Sequence, residues 1–216
     1  MNHATLKAMT QSLDGMRMGE FIVHCARISN PANEHNHATA SKLLRYLVTH
    51  RHWSPLEMAH MVVEVVTTRD IARQILRHRS FSFQEFSQRY ADPTAALGFV
   101  YREPRMTDAK NRQNSTPTDD DALWDMWTAL QGEVIAHAEA AYHTALQHGI
   151  AKEQARAVLP EGLTVSRLYM SGTIRSFVHY VATRCGHDTQ REHREIALSI
   201  KGILLDAIPE LSEVWE

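Results

Sequence analysis

The chain has 216 residues, 23 Lys+Arg against 25 Asp+Glu for a formal net charge of −2, and 44% hydrophobic residues. This is ordinary globular composition and predicts a single domain over 1–216. No apolar run approaches the roughly 18 residues of a membrane span. The start through Gln11 lacks a basic stretch followed by an apolar core, and the balanced charge argues against a general nucleic-acid coat.

In chain order, Phe21 to Ile28 is rich in strand formers and ends at the Asn30-Pro31 turn. A helix is expected from about Ala38 to His50, with Leu43, Leu44, Leu47 and Val48 on one face, broken by Trp53-Ser54-Pro55. Met61 to Thr67 is dense in β-branched residues and reads as a strand. Asp70 offers an N-cap to a helix running through Ile71, Ile75 and Leu76 into Arg77. From Asp92 to Asp119 come Pro93, Pro104 and Pro117 with little apolar periodicity. This reads as a loop of about 25 residues, a length that often carries function.

The longest helix follows, opened by Asp119, Asp120 and Asp121. Leu123, Trp127, Leu130, Val134, Ala138, Ala141 and Ala145 recur at spacings of three and four until Gly149 stops the pattern. Two more helices are expected. One runs over about Ser171 to Thr183 with Ile174, Phe177, Val178 and Val181 inward, and the other over about Thr189 to Leu205 with Ile196, Ile200 and Leu204 inward. Helices dominate and strands are few, so the class is α+β: a helix-rich single domain with a small, mostly antiparallel sheet.

The two cysteines, Cys25 and Cys185, lie outside any Cys-x-x-Cys pair, which predicts a reducing, cytoplasmic setting and no thiolate metal site. His35-x-His37 and His50-x-His52 lack the carboxylate and helical spacing of the common zinc hydrolases, so no metal is expected.

Chemistry concentrates in Arg77-His78-Arg79-Ser80-Phe81-Ser82-Phe83-Gln84-Glu85-Phe86-Ser87-Gln88-Arg89-Tyr90. Three arginines, three serines, a histidine and a glutamate are interleaved there with aromatics. Guanidinium forks recognise phosphate or carboxylate in a planar, bidentate way, and Ser87 with nearby backbone N–H groups could complete a phosphate cradle. A mononucleotide site and a non-catalytic nucleotide- or RNA-binding module both fit this cluster.

Arg77-His78-Arg79, seven residues, then Ser87 resembles the signature of the flavin-dependent thymidylate synthases. Around it, Ala72-Arg73-Gln74, Glu85 and Arg89-Tyr90 match as well. Upstream, Ala26-Arg27-Ile28-Ser29 and Ser54-Pro55-Leu56-Glu57 fall in the family's order. So do Ala155-Arg156, Val158-Leu159-Pro160, Arg175-Ser176, Arg184 and Gln190-x-Glu192 downstream. The resemblance covers about residues 20 to 200. It implies a homotetramer with FAD at subunit junctions, converting dUMP to dTMP with methylenetetrahydrofolate as carbon donor, NADPH as reductant and no cysteine nucleophile. It implies no nucleic-acid or membrane partner.

By matching positions, Gln74, Ile75, Leu76, Arg77, Glu85, Phe86, Ser87, Gln88, Arg89, Arg156 and Arg184 would bind dUMP. Gln74 and Arg77 would come from one subunit and most of the others from another. Arg184 would be the activating group, its guanidinium beside the uracil N3 and O2 stabilising negative charge without titrating. FAD would lean on Ser54, Arg77, His78, Arg79, Glu85, Thr173, Ile174, Arg175 and His179, with His52 on the folate side. The chain departs from the family's usual pattern at Gln84 and Thr173, where asparagine is common, and at Met58 and Asp188, where histidine is frequent.

Overall fold

A computed structural model describes residues 1–215. The chain opens with strand β1 (His3–Met9), then helices α1 (Met18–Ala26) and α2 (Ala40–Thr49), a 3₁₀ turn over Ser54–Glu57, strand β2 (His60–Thr68) and helix α3 (Arg69–Ile75). Strand β3 (Ser82–Glu85), the single-turn α4 (Pro93–Ala96) and a small hairpin, β4 (Arg105–Thr107) and β5 (Ser115–Pro117), lead into the long helix α5 (Asp121–Gln147). The single turn α6 (Lys152–Ala155), strand β6 (Val165–Thr173), helices α7 (Ile174–Arg184) and α8 (Arg191–Ala207) and a closing 3₁₀ segment, Pro209–Val214, complete it.

The main sheet has the order β1-β2-β6-β3, with every pair antiparallel. The period of two decides its faces. Met61, Val63 and Val65 of β2 stand beside Gly172, Met170 and Leu168 of β6, and all point inward. Glu64, Arg167 and Lys7 form a charged network on the opposite face. The inward face meets residues of α1, α2, α3, α7 and α8 in one core. Gly172 is required at its position, because a Cβ there would lie 2.5 Å from the Phe81 ring. Strand β6 feeds directly into α7, whose first turn is capped by Thr173, the hydroxyl accepting from the Ser176 N–H. This junction fixes where Arg175, His179 and Arg184 emerge.

Several expectations are corrected. Phe21 to Ile28 lies mostly in helix α1, because Met18 and Ile22, and Gly19 and Val23, recur four apart on a buried side. Glu20 reaches back to the Arg17 backbone N–H and opens that helix. Asp70 is not the cap of α3 but sits inside its first turn, where it accepts from Arg102 and Thr68. Residues Ser171 to Thr173 extend β6 rather than begin a helix. The loop from Asp92 to Asp119 is partly ordered: Asp92 caps α4, and Asp108 accepts the Lys110 and Asn111 N–H groups inside the β4–β5 hairpin.

Helix α5 differs most. Its cap is Asp120, which accepts from the Leu123 N–H, and Gly149 (φ +81°) follows its C-terminus. Yet only Gln131, Ala138 and Tyr142 are buried along it. Trp127, Leu130 and Val134 remain 36, 47 and 49% exposed. The apolar stripe read from the sequence exists, but this protomer does not cover its first half.

Candidate active site

Helix α3 ends after Ile75, and the backbone turns through Leu76 to His78, whose N–H donates to the Ile75 carbonyl. The turn carries Arg77 and His78 to the C-terminal end of α7. There they line a cleft of about 420 Å³ with Gln74 and Arg184. The Arg184 Nε donates to His78 Nε2 over 3.0 Å. His78 must therefore keep that nitrogen bare and carry its proton on Nδ1. Burial, then the charges of Arg184, His179 and Arg77, push its pKa down to about 4. The imidazole is neutral and leaves both guanidinium charges undiminished. Neither Arg77 nor Arg184 has a carboxylate partner among the described residues, nor do Arg79 and Arg156. Uncompensated cations beside a concave surface suit an anion.

Behind the cleft lies a chain of hydrogen bonds. Gln74 Nε2 donates to Gln190 Oε1 (2.8 Å), and Gln190 Nε2 to Glu192 Oε2 (3.0 Å). Glu192 is also gripped by Arg102 at 3.1 Å and by Arg105. Burial alone would raise its carboxyl, but Arg105 and Arg102 outweigh burial and hold it below the ordinary range. On the other side of Gln74, His193 Nδ1 lies 3.2 Å from Oε1, and His193 Nε2 lies 2.9 Å from the Tyr180 hydroxyl. Burial, then Arg184 and His78, push His193 down to about 3, and burial raises Tyr180 above its usual value.

A second cleft, about 540 Å³, opens at the N-terminal end of α7. Arg51, Trp53, Ser80, Arg175, Ser176 and His179 line it. Arg175 lies over the Trp53 ring at 5.8 Å and pairs with Glu57. An arginine, a histidine and an indole flanking one concavity are a donor set that fits the diphosphate and ring systems of a dinucleotide.

The remaining sequence-predicted residues form a third group. Glu85, at the end of β3, is engaged by Arg73 and Arg69 of α3 and by the Ser166 hydroxyl (2.8 Å). The Phe86 N–H donates to the Arg167 carbonyl (2.8 Å), extending the β3–β6 ladder by one residue, and the chain turns after it over Ser87 to Tyr90. Ser87 Oγ accepts from the Arg89 N–H, Arg89 pairs with Glu153, and Arg156 Nε donates to the Glu153 carbonyl. Gln88 is buried, and its Nε2 has no hydrogen-bond partner among the described residues.

The structure thus unites Arg184 with Gln74 and Arg77 of its own chain and leaves Arg89 and Arg156 elsewhere. Gln74 and Arg77 thus stand apart from Ser87, Arg89 and Arg156, and Arg184 groups with the first two. Ile75 and Ile174 are core residues with no exposure, the Ile75 carbonyl taken by the His78 N–H and the Ile174 N–H given to the Ala59 carbonyl, so the expected ligand contacts at both are corrected. Leu76 is half-buried, Ser54, Arg79 and His52 are exposed, and Thr173 is occupied as a cap. Sequence reasoning passed over Trp53 and Ser80 as site residues. It also passed over Tyr180 and His193, whose only signal was polar side chains on otherwise apolar helix faces.

Burial raises both cysteine thiols, so neither is a ready thiolate nucleophile. No group of three or more ligand-type side chains arranged for a metal occurs among the described residues, and no helix there is long and apolar enough to cross a membrane.

Residues 13–210 match the family model described as thymidylate synthase complementing protein. The chain is 46% identical over 199 residues to a probable flavin-dependent thymidylate synthase of Paramecium bursaria Chlorella virus 1, covering 91% of this chain and 90% of that one. It is also 46% identical over 195 residues to a flavin-dependent thymidylate synthase of Synechocystis, covering 90% and 88%. The fold is similar to the crystal structure of a UMP/dUMP methylase, PolB from Streptomyces cacaoi, bound with 5-Br dUMP. The TM-score there is 0.81 at 25% identity, over 100% of this chain and 94% of that one.

Proposed function

The chain belongs to the thymidylate synthase complementing protein family, the flavin-dependent thymidylate synthases, and from that premise we propose that it methylates dUMP reductively to dTMP. Methylenetetrahydrofolate is the carbon donor and NADPH the reductant. The observation that carries the reading is the cleft where Arg77 and Arg184, both without carboxylate partners among the described residues, stand beside the Gln74 carboxamide and a neutral His78.

Each residue has a defined task. Arg184, a permanent cation, faces the pyrimidine and stabilises negative charge on its N3–C2–O2 edge as C5 becomes nucleophilic. Its orientation is fixed by the bond to His78, which stays neutral and takes no proton from the reaction. Gln74 and Arg77 donate to acceptor atoms of the nucleotide. Ser87, Arg89 and Arg156 hold the phosphate, and Glu85, Phe86 and Gln88 shape the loop that carries Ser87 and Arg89. FAD, when bound, supplies the hydride transfer. Arg79 and Arg175 would hold its diphosphate, with Ser54, His78, Thr173 and His179 around it. His52 closes the folate side.

The protein works as a homotetramer. The uncovered Trp127, Leu130 and Val134, beside a groove of about 720 Å³ that Met106 also lines, supply an apolar surface of the kind that pairs with another copy.

The test combines a spectrum with turnover. Purified protein is expected to be yellow or to take up FAD stoichiometrically, and to release tritium from 5-labelled dUMP. Arg184→Ala is expected to keep FAD and lose dTMP formation by about 10²-fold or more. Colourless protein that takes up no FAD, or an Arg184→Ala variant with full activity, refutes the reading.

A further inference from the structure

The hydrogen bonds behind the nucleotide cleft have only one consistent direction. Glu192, ionised and held by Arg102 and Arg105, can only accept. Gln190 must therefore turn Nε2 toward it, which leaves Gln190 Oε1 facing Gln74. Gln74 must answer with Nε2, which turns its own Oε1 toward His193 Nδ1. Two acceptors cannot bond, so Nδ1 carries the proton, Nε2 is bare, and the Tyr180 hydroxyl donates to it. No step of the reaction uses His193 or Tyr180, yet both are buried, at 1% and 0% exposure, directly behind a residue that lines the cleft.

We propose that His193 is a positioning residue for Gln74: its Nδ1–H locks the carboxamide so that the second Nε2 hydrogen, rather than the carbonyl oxygen, is offered to the nucleotide. The inference rests on the nucleotide reading of this cleft and deepens it. With His193 in place, the polar groups around the opening are the Gln74 N–H and the guanidiniums of Arg77 and Arg184, all donors. Such a surface selects ligand atoms that are acceptors only, such as carbonyl or phosphate oxygens, and disfavours a ligand that presents an N–H donor at that point. The depressed proton affinities of His193 and His78 keep both rings neutral near pH 7, so this order of protons persists under working conditions.

The test uses FAD-loaded full-length protein and measures dUMP affinity by titration calorimetry, with the flavin spectrum as a check of fold. His193→Leu removes the donor and frees Gln74 to rotate; dUMP affinity is expected to fall about tenfold, with FAD affinity unchanged. His193→Asn returns an N–H near the Nδ1 position and is expected to bind dUMP within about threefold of wild type. The turnover number at saturating dUMP should change less than KM in both variants. Equal losses in the Asn and Leu variants, or no loss in Leu, overturn the role. Independently, ¹⁵N NMR of histidine-labelled protein without nucleotide should show Nδ1 protonated and Nε2 bare at His193, and the opposite tautomer overturns the assignment. Wild-type protein that takes up FAD but no dUMP refutes the nucleotide reading and the positioning role with it, whereas dUMP binding with unaltered affinity in His193→Leu refutes the positioning role alone.

Discussion

Burying His193 between Arg184 and His78 makes the stability of this protein depend on pH in a way that one substitution isolates. The ring keeps its proton off down to about pH 3 in the folded chain, against 6.5 for the ordinary side chain. The unfolded state therefore binds a proton that the folded state refuses. Stability is at its full value above pH 6.5, falls as the pH drops below it, and stops falling only below about 3. At about 1.36 kcal/mol per unit of pKa difference, the full loss is of order 5 kcal/mol, of which about 2 kcal/mol appears between pH 7 and pH 5. His78, displaced in the same direction to about 4, adds to the decline in wild type, although protonating one ring disfavours protonating the other. The assay is urea unfolding followed by tryptophan fluorescence at pH 7, 6 and 5, at one protein concentration because assembly contributes to apparent stability. This window lies above the ordinary titration of carboxylates. Asn at position 193 does not titrate, so the His193→Asn curve should be flatter than wild type by about 2 kcal/mol over the same span. The offset at pH 7 is not diagnostic, since Asn also repacks the site. Parallel wild-type and variant curves would show that His193 accepts its proton normally when folded, and the buried neutral ring would have to be given up.

Leu130→Glu should dissociate the assembly while leaving helix content intact, because that side chain is half exposed within its own protomer. Sedimentation velocity should then show the 24.6 kDa protomer, and unaltered assembly would remove α5 from the interface. Gln84→Asn, at an exposed position of β3, should preserve or improve FAD affinity measured by flavin titration; a loss of about tenfold or more would show that the family pattern misplaces that contact.

The parts of the fold that the sequence made legible are those where burial and period agree. Leu44 and Leu47 mark α2, the alternating Met61, Val63 and Val65 mark β2, and Ile196, Ile200 and Leu204 mark α8. Helix α1 was misread because Phe21, Ile22 and Val23 are strand formers locally, and only the core under Ile22 and Val23 decides for helix. Strand β6 escaped notice because one inward position is Ser166, whose hydroxyl is spent on Glu85, so the apolar alternation of Leu168 and Met170 is interrupted near the start of the strand. In the site, the arginines were legible because Arg77-His78-Arg79, Ser87, Arg156, Arg175 and Arg184 stand together in the order of the family's motifs, which Arg-His-Arg alone does not establish. Their support was not: Tyr180, Gln190 and His193 come from two helices, and their pairing with Gln74 exists only after α7 and α8 dock.

The arrangement of cations along α3 supports the proposal that the site is shared between copies of the chain. Arg69 and Arg73, one turn apart, face Glu85 and the loop bearing Ser87 and Arg89, whereas Gln74 and the residues after the helix face Arg184. The helix is seven residues long, about 10 Å at 1.5 Å per residue, and holds the two groups on different sides of itself. Electrostatics separates them too. The Glu85 carboxylate offsets Arg69 and Arg73 internally, while Arg77 and Arg184 have no carboxylate to offset them among the described residues. In the proposed function the first group supports the phosphate-binding loop and the second faces the pyrimidine, and a nucleotide that used both would draw them from two copies of the chain. On this reading, the exposed apolar stripe of α5 belongs to catalysis as much as to assembly, because without the contact it makes neither half encloses the substrate.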